Sequence, residues 1–176
     1  MDKSAFLSRL QNERDAFELL LNQVGFLRRL TLRGVSGGLT VKDLLAEGLS
    51  HEQFLADRLS EILHGETYSP STTFKAFENF LRDYGCPDYE SPLFEKEYAH
   101  ACIHEAYKNI EFGEIVAQEL AIYANIIESL ETLDHSQYLD HDLFHRIAEH
   151  TYRPYRRAET AIRRWLKQIA SEPKSP

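Results

Sequence analysis

Hydrophobic and polar positions alternate along most of the chain with the 3.6-residue spacing of amphipathic α-helices. This periodicity predicts four long helices, over residues 4–29, 40–63, 111–133 and 141–169, with a link at 134–140. No run of Val, Ile and Thr alternates with polar residues between turn signals, so no strand is predicted. Four such helices within 176 residues indicate an all-α fold, a single four-helix bundle domain over residues 1–176.

The second helix has a well-marked start. The Gly-rich break RGVSGG (33–38) precedes it, Thr40 is placed to cap it, and Asp43 completes a capping-box pattern. Residues 66–97 read differently, because they contain three prolines and several turn signals. We therefore expect a long connection after the second helix, with short helices at about 71–85 and from Phe94 to His104.

Composition and charge narrow the possible partners. The formal net charge of −8 argues against general binding to nucleic acid or to anionic membranes, since both need a cationic face. No run of 18 apolar residues indicates a membrane span, and the N-terminus lacks the apolar core of a signal peptide. The two cysteines, Cys86 and Cys102, form no metal or redox motif. A cytoplasmic location is the expectation.

Two segments carry a resemblance to a known family. GGLTVKDLLAEGLSHEQFL and IAEHTYRPYRRAETAIRRWL resemble the second and last helices of the DinB-like superfamily, most closely its ClbS/DfsB-like branch. A weaker match, YAHACIHEAYKNIEFGEIVAQEL, lies between them. The resemblance covers roughly residues 10–65 and 98–168 in the family's order. It implies a bundle with an up-up-down-down course and a long connection after helix 2.

Many members of that family bind a divalent metal through three histidines, one on helix 2 and two on the last helix. The positions carried over to this chain are Glu47, Pro154 and Ala158, and none of them is histidine. We therefore predict no metal ligands and no cofactor. Zinc or nickel would bind only if the site had shifted by one turn to His51 and His150, and such a two-histidine site lacks the usual third protein ligand.

Pro154 also bears on the course of the last helix. A proline inside a helix removes a backbone donor and costs about 3 kcal/mol. The helix predicted at 141–169 should therefore kink or restart there, with the carbonyl groups of Glu149 and His150 partly released.

The same two helices carry the candidate site. We expect them to enclose a cleft with an arginine near its mouth, where Arg153 or Arg157 would bind an anionic ligand in place of the metal's charge. The alternative is that these arginines are solvated and pair with neighbouring glutamates. A His100/His104 pair has metal-binding spacing but is typical of an ordinary helix surface. The residues expected to line the cleft are Glu47, His51, His150, Tyr152, Pro154, Tyr155 and Ala158.

The sequence is compatible with three classes of function, namely ligand binding, catalysis and self-association. A small-molecule ligand in the cleft is the main hypothesis, and catalytic residues are not identified. The resemblance implies two enzymatic alternatives, namely a detoxifying hydrolase, with Glu47 as base and a tyrosine as donor, and a metal-dependent thiol transferase. Loss of the metal histidines counts most against thiol transfer, which uses the metal to lower the thiol pKa. Pairing of bundle faces into a homodimer is the third alternative.

Overall fold

The computed structural model of the chain describes residues 2–64 and 103–171. Within these ranges every regular element is a helix, and the pairing of Ser36 with Leu39 is an isolated bridge. The predicted all-α class is therefore confirmed for the described residues. Cys86, Cys102, His100 and the predicted short helix at 71–85 lie outside them. Among the described helices, the four longest are α1 Lys3–Phe26, α2 Val41–Leu63, α3 Phe112–Thr132 and α6 Tyr152–Ser171, while α4 His135–Asp140 and α5 Leu143–His150 are shorter. Residues 103–107 are also helical, at the end of the helix predicted from Phe94.

The junction between α1 and α2 follows its sequence signals. α1 ends two residues before Arg28, which has a positive φ of 55° and so cannot continue the helix. Gly37, at φ 61°, makes a bend that other residues rarely adopt. Thr40 then caps α2, because its side chain accepts a hydrogen bond from the Asp43 amide while the Asp43 carboxylate accepts one from the Thr40 amide. The predicted capping box is confirmed.

The last part of the chain differs from the single helix predicted at 141–169. The link expected at 134–140 forms α4, and the chain then breaks at Thr151, whose φ and ψ of −129° and −96° are not helical. Pro154 is consequently the third residue of α6, not an interior residue of one long helix. The N–H groups of a first turn have no partner within the helix, so a proline there removes no hydrogen bond. The predicted restart is confirmed, and it precedes the proline.

Helix packing brings distant parts of the chain together. α2 packs along α3, α1 packs along α6, and α2 also contacts α5 and α6. Each of these elements contributes to one apolar core, through residues such as Leu10, Leu49, Ile126, Ile147 and Ile162. Among the described residues, no helix has the length and apolar character needed to cross a membrane.

Candidate functional site

A cavity of about 330 Å³ lies where α2 faces the first half of α6. Phe17 of α1, the loop before α2, and His104 complete its walls. A volume of this size is in the range of small-molecule sites. The lining residues are Phe17, Ser36, Leu39, Leu44, Glu47, Gly48, His104, Pro154, Tyr155, Arg157, Ala158 and Ala161.

The α2 side of this cavity owes its shape to a glycine. Gly48 lies in the middle of the helix, and a Cβ built on it would meet no atom within 4 Å. Glycine inside a helix is destabilising by roughly 0.5–1 kcal/mol relative to alanine. Here its missing side chain leaves space next to Glu47, which is half-buried and takes part in an interaction of its own.

On the opposite side, α6 presents Pro154, Tyr155, Ala158 and Ala161. Their spacing of one, three and three residues follows one face of a helix, so the restart after Thr151 orients the whole set. Glu47, Pro154 and Ala158 thus all line the same cavity. A carboxylate, a proline and an alanine do not make a metal site, because only the carboxylate can act as a ligand.

The arginines of α6 have different partners. Arg153 pairs with Glu149, Arg156 with Glu13, and Arg163 with Glu159. Arg157 lines the cavity and makes no ion pair with any residue in 2–64 or 103–171. Of the two arginines considered for the cleft, Arg157 therefore lines the cavity, whereas Arg153 pairs with Glu149 on α5.

His104 was not among the residues predicted to line the cleft. Its Nε2 atom is buried and finds no hydrogen-bond partner among the described residues. Buried polar atoms are normally hydrogen-bonded, so an orphaned nitrogen beside a cavity is a candidate contact for a ligand. The sequence signal for this residue was its spacing from His100, which pointed to a metal pair and not to the cleft.

Three of the predicted cleft residues lie elsewhere. Tyr152 packs toward α1, where the Arg9 guanidinium stands 4.9 Å from its ring centre. His51 and His150 are both buried and face each other, with their Nδ1 atoms 3.2 Å apart, but neither lines the cavity. The shifted positions on α2 and α5 do meet as predicted, and the assignment of these three residues to the cleft was wrong.

The histidine pair has the geometry of a hydrogen bond between one protonated and one unprotonated nitrogen. Two nitrogens on one tetrahedral zinc would also stand roughly 3.3 Å apart, given Zn–N distances of about 2.0–2.1 Å. Among residues 2–64 and 103–171, however, no group of three or more His, Cys, Asp or Glu is arranged to hold a metal ion. The described part of the chain therefore supplies two nitrogens and no third ligand.

A second polar cluster, missed by the sequence reasoning, lies behind the cavity. Arg14, Glu52 and Glu119 are exposed by 3% or less. Arg14 forms ion pairs with Glu119 and Glu18, and its Nη1 lies 3.5 Å from both Glu52 and the Tyr155 hydroxyl. The Tyr155 hydroxyl donates a hydrogen bond to Glu52. This buried network, defined by Arg14, Glu52, Glu119 and Tyr155, joins α1, α2, α3 and α6.

Burial has a clear effect on the charge of Glu52. It raises the pKa of this carboxyl from 4.5 to about 8, with the nearby Arg14 guanidinium acting in the opposite direction. One carboxylate oxygen, Oε2, has no hydrogen-bond partner among the described residues. The sequence signal for the network is the position of Arg14, which lies four residues after Leu10 and three before Phe17 on the apolar face of α1.

Comparison with known proteins shows a likeness in fold. No protein-family model matches the chain, and no curated protein matches it. A crystal structure of an uncharacterised protein from Escherichia coli UTI89 is similar over 96% of this chain and 94% of that one, with a TM-score of 0.69. The two sequences are 12% identical, so the likeness concerns the fold alone.

Proposed function

We propose that this chain binds a small organic molecule in the cavity between α2 and α6. The observation that carries the proposal is the convergence of Glu47, His104 and Arg157 on a largely apolar cavity. Apolar walls with a few polar groups aimed inward are the usual composition of ligand sites.

The architecture that we propose for this site is a DinB-like four-helix bundle with an up-up-down-down course, formed by α1, α2, α3 and α6. The pairing of α1 with α6 and of α2 with α3 supports it. So does the location of Glu47, Pro154 and Ala158, which are the positions that the resemblance equates with metal histidines. In this proposal the ancestral metal position has become the wall of an organic ligand site.

A hydrolase is the second candidate, because Glu47 and Tyr155 line the same cavity. Glu47 would activate water as a general base and Tyr155 would donate a hydrogen bond to the reacting group. The Tyr155 hydroxyl already donates to Glu52, so this role would need the hydroxyl to change partner. Ligand binding therefore has the stronger support.

A thermal-shift screen of small molecules against a cavity-filling variant tests the proposal. Gly48→Leu places a side chain in the cavity, where Gly48 has open space around it. Gly113→Leu is the matched control, because Gly113 is also a helical glycine with open space and does not line the cavity. Ligand stabilisation grows as RT ln(1 + [L]/Kd), so weak binders register at high concentration.

We expect some compounds to raise the melting temperature of the wild type and of the control variant Gly113→Leu, but not that of Gly48→Leu. Repeating the screen on Glu47→Gln identifies compounds that contact the carboxylate. Hits that stabilise all variants equally would place binding outside this cavity. The proposal would be overturned if the Gly48→Leu substitution abolished the effect of none of the compounds. That result would favour a structural or dimerising role.

A further inference from the structure

We infer that the ligand of this cavity is a planar, largely aromatic monoanion, such as an aromatic carboxylate. This inference rests on the proposed function and adds the chemical class of the ligand. It follows from three features of the cavity wall, namely an arginine without an ion pair in the described structure, an orphaned histidine nitrogen, and a stacked pair of aromatic rings.

The charge of the ligand follows from Arg157. The chain has a formal net charge of −8, and three of the four other arginines of α6 pair with a glutamate. The fourth, Arg164, is exposed and does not line the cavity. Arg157 is also exposed, but it lines the cavity and makes no ion pair among the described residues. A guanidinium presents paired donors that match the two oxygens of a carboxylate.

His104 adds a second contact for the same anion. Its buried Nε2 atom has no partner in the described structure, and the residue lines the same cavity. An imidazole with its proton on Nε2 can donate a hydrogen bond to a carboxylate oxygen. A ligand with that group would satisfy the nitrogen and the guanidinium together, which a neutral apolar molecule would not.

The shape of the ligand follows from Phe17 and Tyr155. Their rings stack with centroids 5.2 Å apart and planes inclined by 7°, and both residues line the cavity. The bond from the Tyr155 hydroxyl to Glu52 holds that ring in place. A flat aromatic body makes the best contact with such a preorganised surface. Glu47, on the α2 side, repels negative charge, so the anionic group is expected on the side of Arg157 and His104, and a second anionic group is disfavoured.

The test compares an anionic probe and a neutral probe that share the same aromatic ring. Naphthalene-2-carboxylate and its neutral counterpart 2-naphthalenemethanol are titrated by calorimetry into the wild type, Arg157→Leu, His104→Leu and Gly48→Leu. Arg164→Leu is the matched control, because Arg164 is an exposed arginine of α6 that does not line the cavity. Circular dichroism confirms that each variant keeps its helical content.

We expect the carboxylate to bind at least about tenfold more tightly than the alcohol, the factor that corresponds to one charge-assisted hydrogen bond. Arg157→Leu should remove that advantage, His104→Leu should reduce it, and Arg164→Leu should leave it unchanged. Equal loss in Arg157→Leu and Arg164→Leu would mean general electrostatic attraction and would overturn the inference.

Failure of this inference is distinct from failure of the proposed function. If both probes bind with equal affinity and Gly48→Leu abolishes both, the cavity is a ligand site but its preference for an anion is wrong. If neither probe binds while other compounds stabilise the wild type and not Gly48→Leu, the ligand class is again wrong. If no compound of any class depends on Gly48, the proposed function itself fails.

Discussion

Replacing Glu52 with glutamine should abolish a large pH dependence of stability. Glu52 has no exposed surface, lies 3.5 Å from the Arg14 guanidinium, and accepts a hydrogen bond from the Tyr155 hydroxyl. Burial raises its pKa to about 8 despite the arginine. Glutamine has nearly the same shape and keeps an acceptor for Tyr155, but it cannot ionise.

The magnitude follows from linkage between protonation and folding. Because the pKa of the folded state is raised from 4.5 to about 8, the folded chain holds this proton where the unfolded chain has released it. The contribution of Glu52 to the unfolding free energy is therefore fully present below about pH 4.5 and is lost as the pH rises through about 8. At about 1.4 kcal/mol per pKa unit, the full shift corresponds to about 5 kcal/mol.

Urea unfolding of the wild type and Glu52→Gln at a series of pH values measures this effect. Between about pH 5 and pH 9, the stability of Glu52→Gln relative to the wild type should rise by about 4 kcal/mol. Glu18→Gln is the control, since it removes another carboxylate partner of Arg14 at a position whose side chain is 42% exposed. The difference in unfolding free energy between Glu18→Gln and the wild type should not grow with pH in this way.

Parallel pH profiles for the wild type and Glu52→Gln would refute the reasoning. They would mean that Glu52 is already ionised in the folded protein throughout this range. Attraction to Arg14 would then outweigh the cost of burying the charge, and Glu52 would be an ionised member of the network and not a protonated one.

Three further predictions concern single features of the fold. Gly48→Ala should raise the unfolding free energy by roughly 0.5–1 kcal/mol in urea titrations, because alanine favours the helix and its Cβ meets open space. A loss of stability would contradict the presence of open space beside Gly48. Pro154→Ala should change the unfolding free energy by less than about 1 kcal/mol, and Pro154→His should be tolerated, because a first-turn position has no intrahelical hydrogen bond to restore. Strong destabilisation by Pro154→His would show that the proline itself is structurally required. Elemental analysis of untagged protein should find no stoichiometric zinc or nickel, whereas one equivalent lost on His51→Ala or His150→Ala would reveal a metal at the histidine pair.

Much of the candidate site followed from local sequence features. Helix phase and the family resemblance together selected Glu47, Pro154, Tyr155 and Ala158, which all line the cavity. They failed for Tyr152, which packs toward α1, and for the facing pair His51 and His150. For His150 the reason is that the prediction assumed one continuous helix through residue 151. The break at Thr151 separates His150 on α5 from the α6 residues that face the cavity, so positions before and after it no longer share one helical phase.

The sequence by itself determined the helices, since periodicity, the Thr40 capping box and the glycine break act between residues a few positions apart. Tertiary structure decided which charges are buried and with whom they pair. Arg14 meets Glu52, Glu119 and Tyr155 across separations of 38, 105 and 141 residues, and no local pattern encodes such meetings. A buried charge is tolerated only where partners compensate for its lost hydration, and the packing of four helices supplies those partners. The same packing leaves Arg157 at the cavity without an ion pair among the described residues, while the neighbouring Arg156 reaches Glu13 on α1.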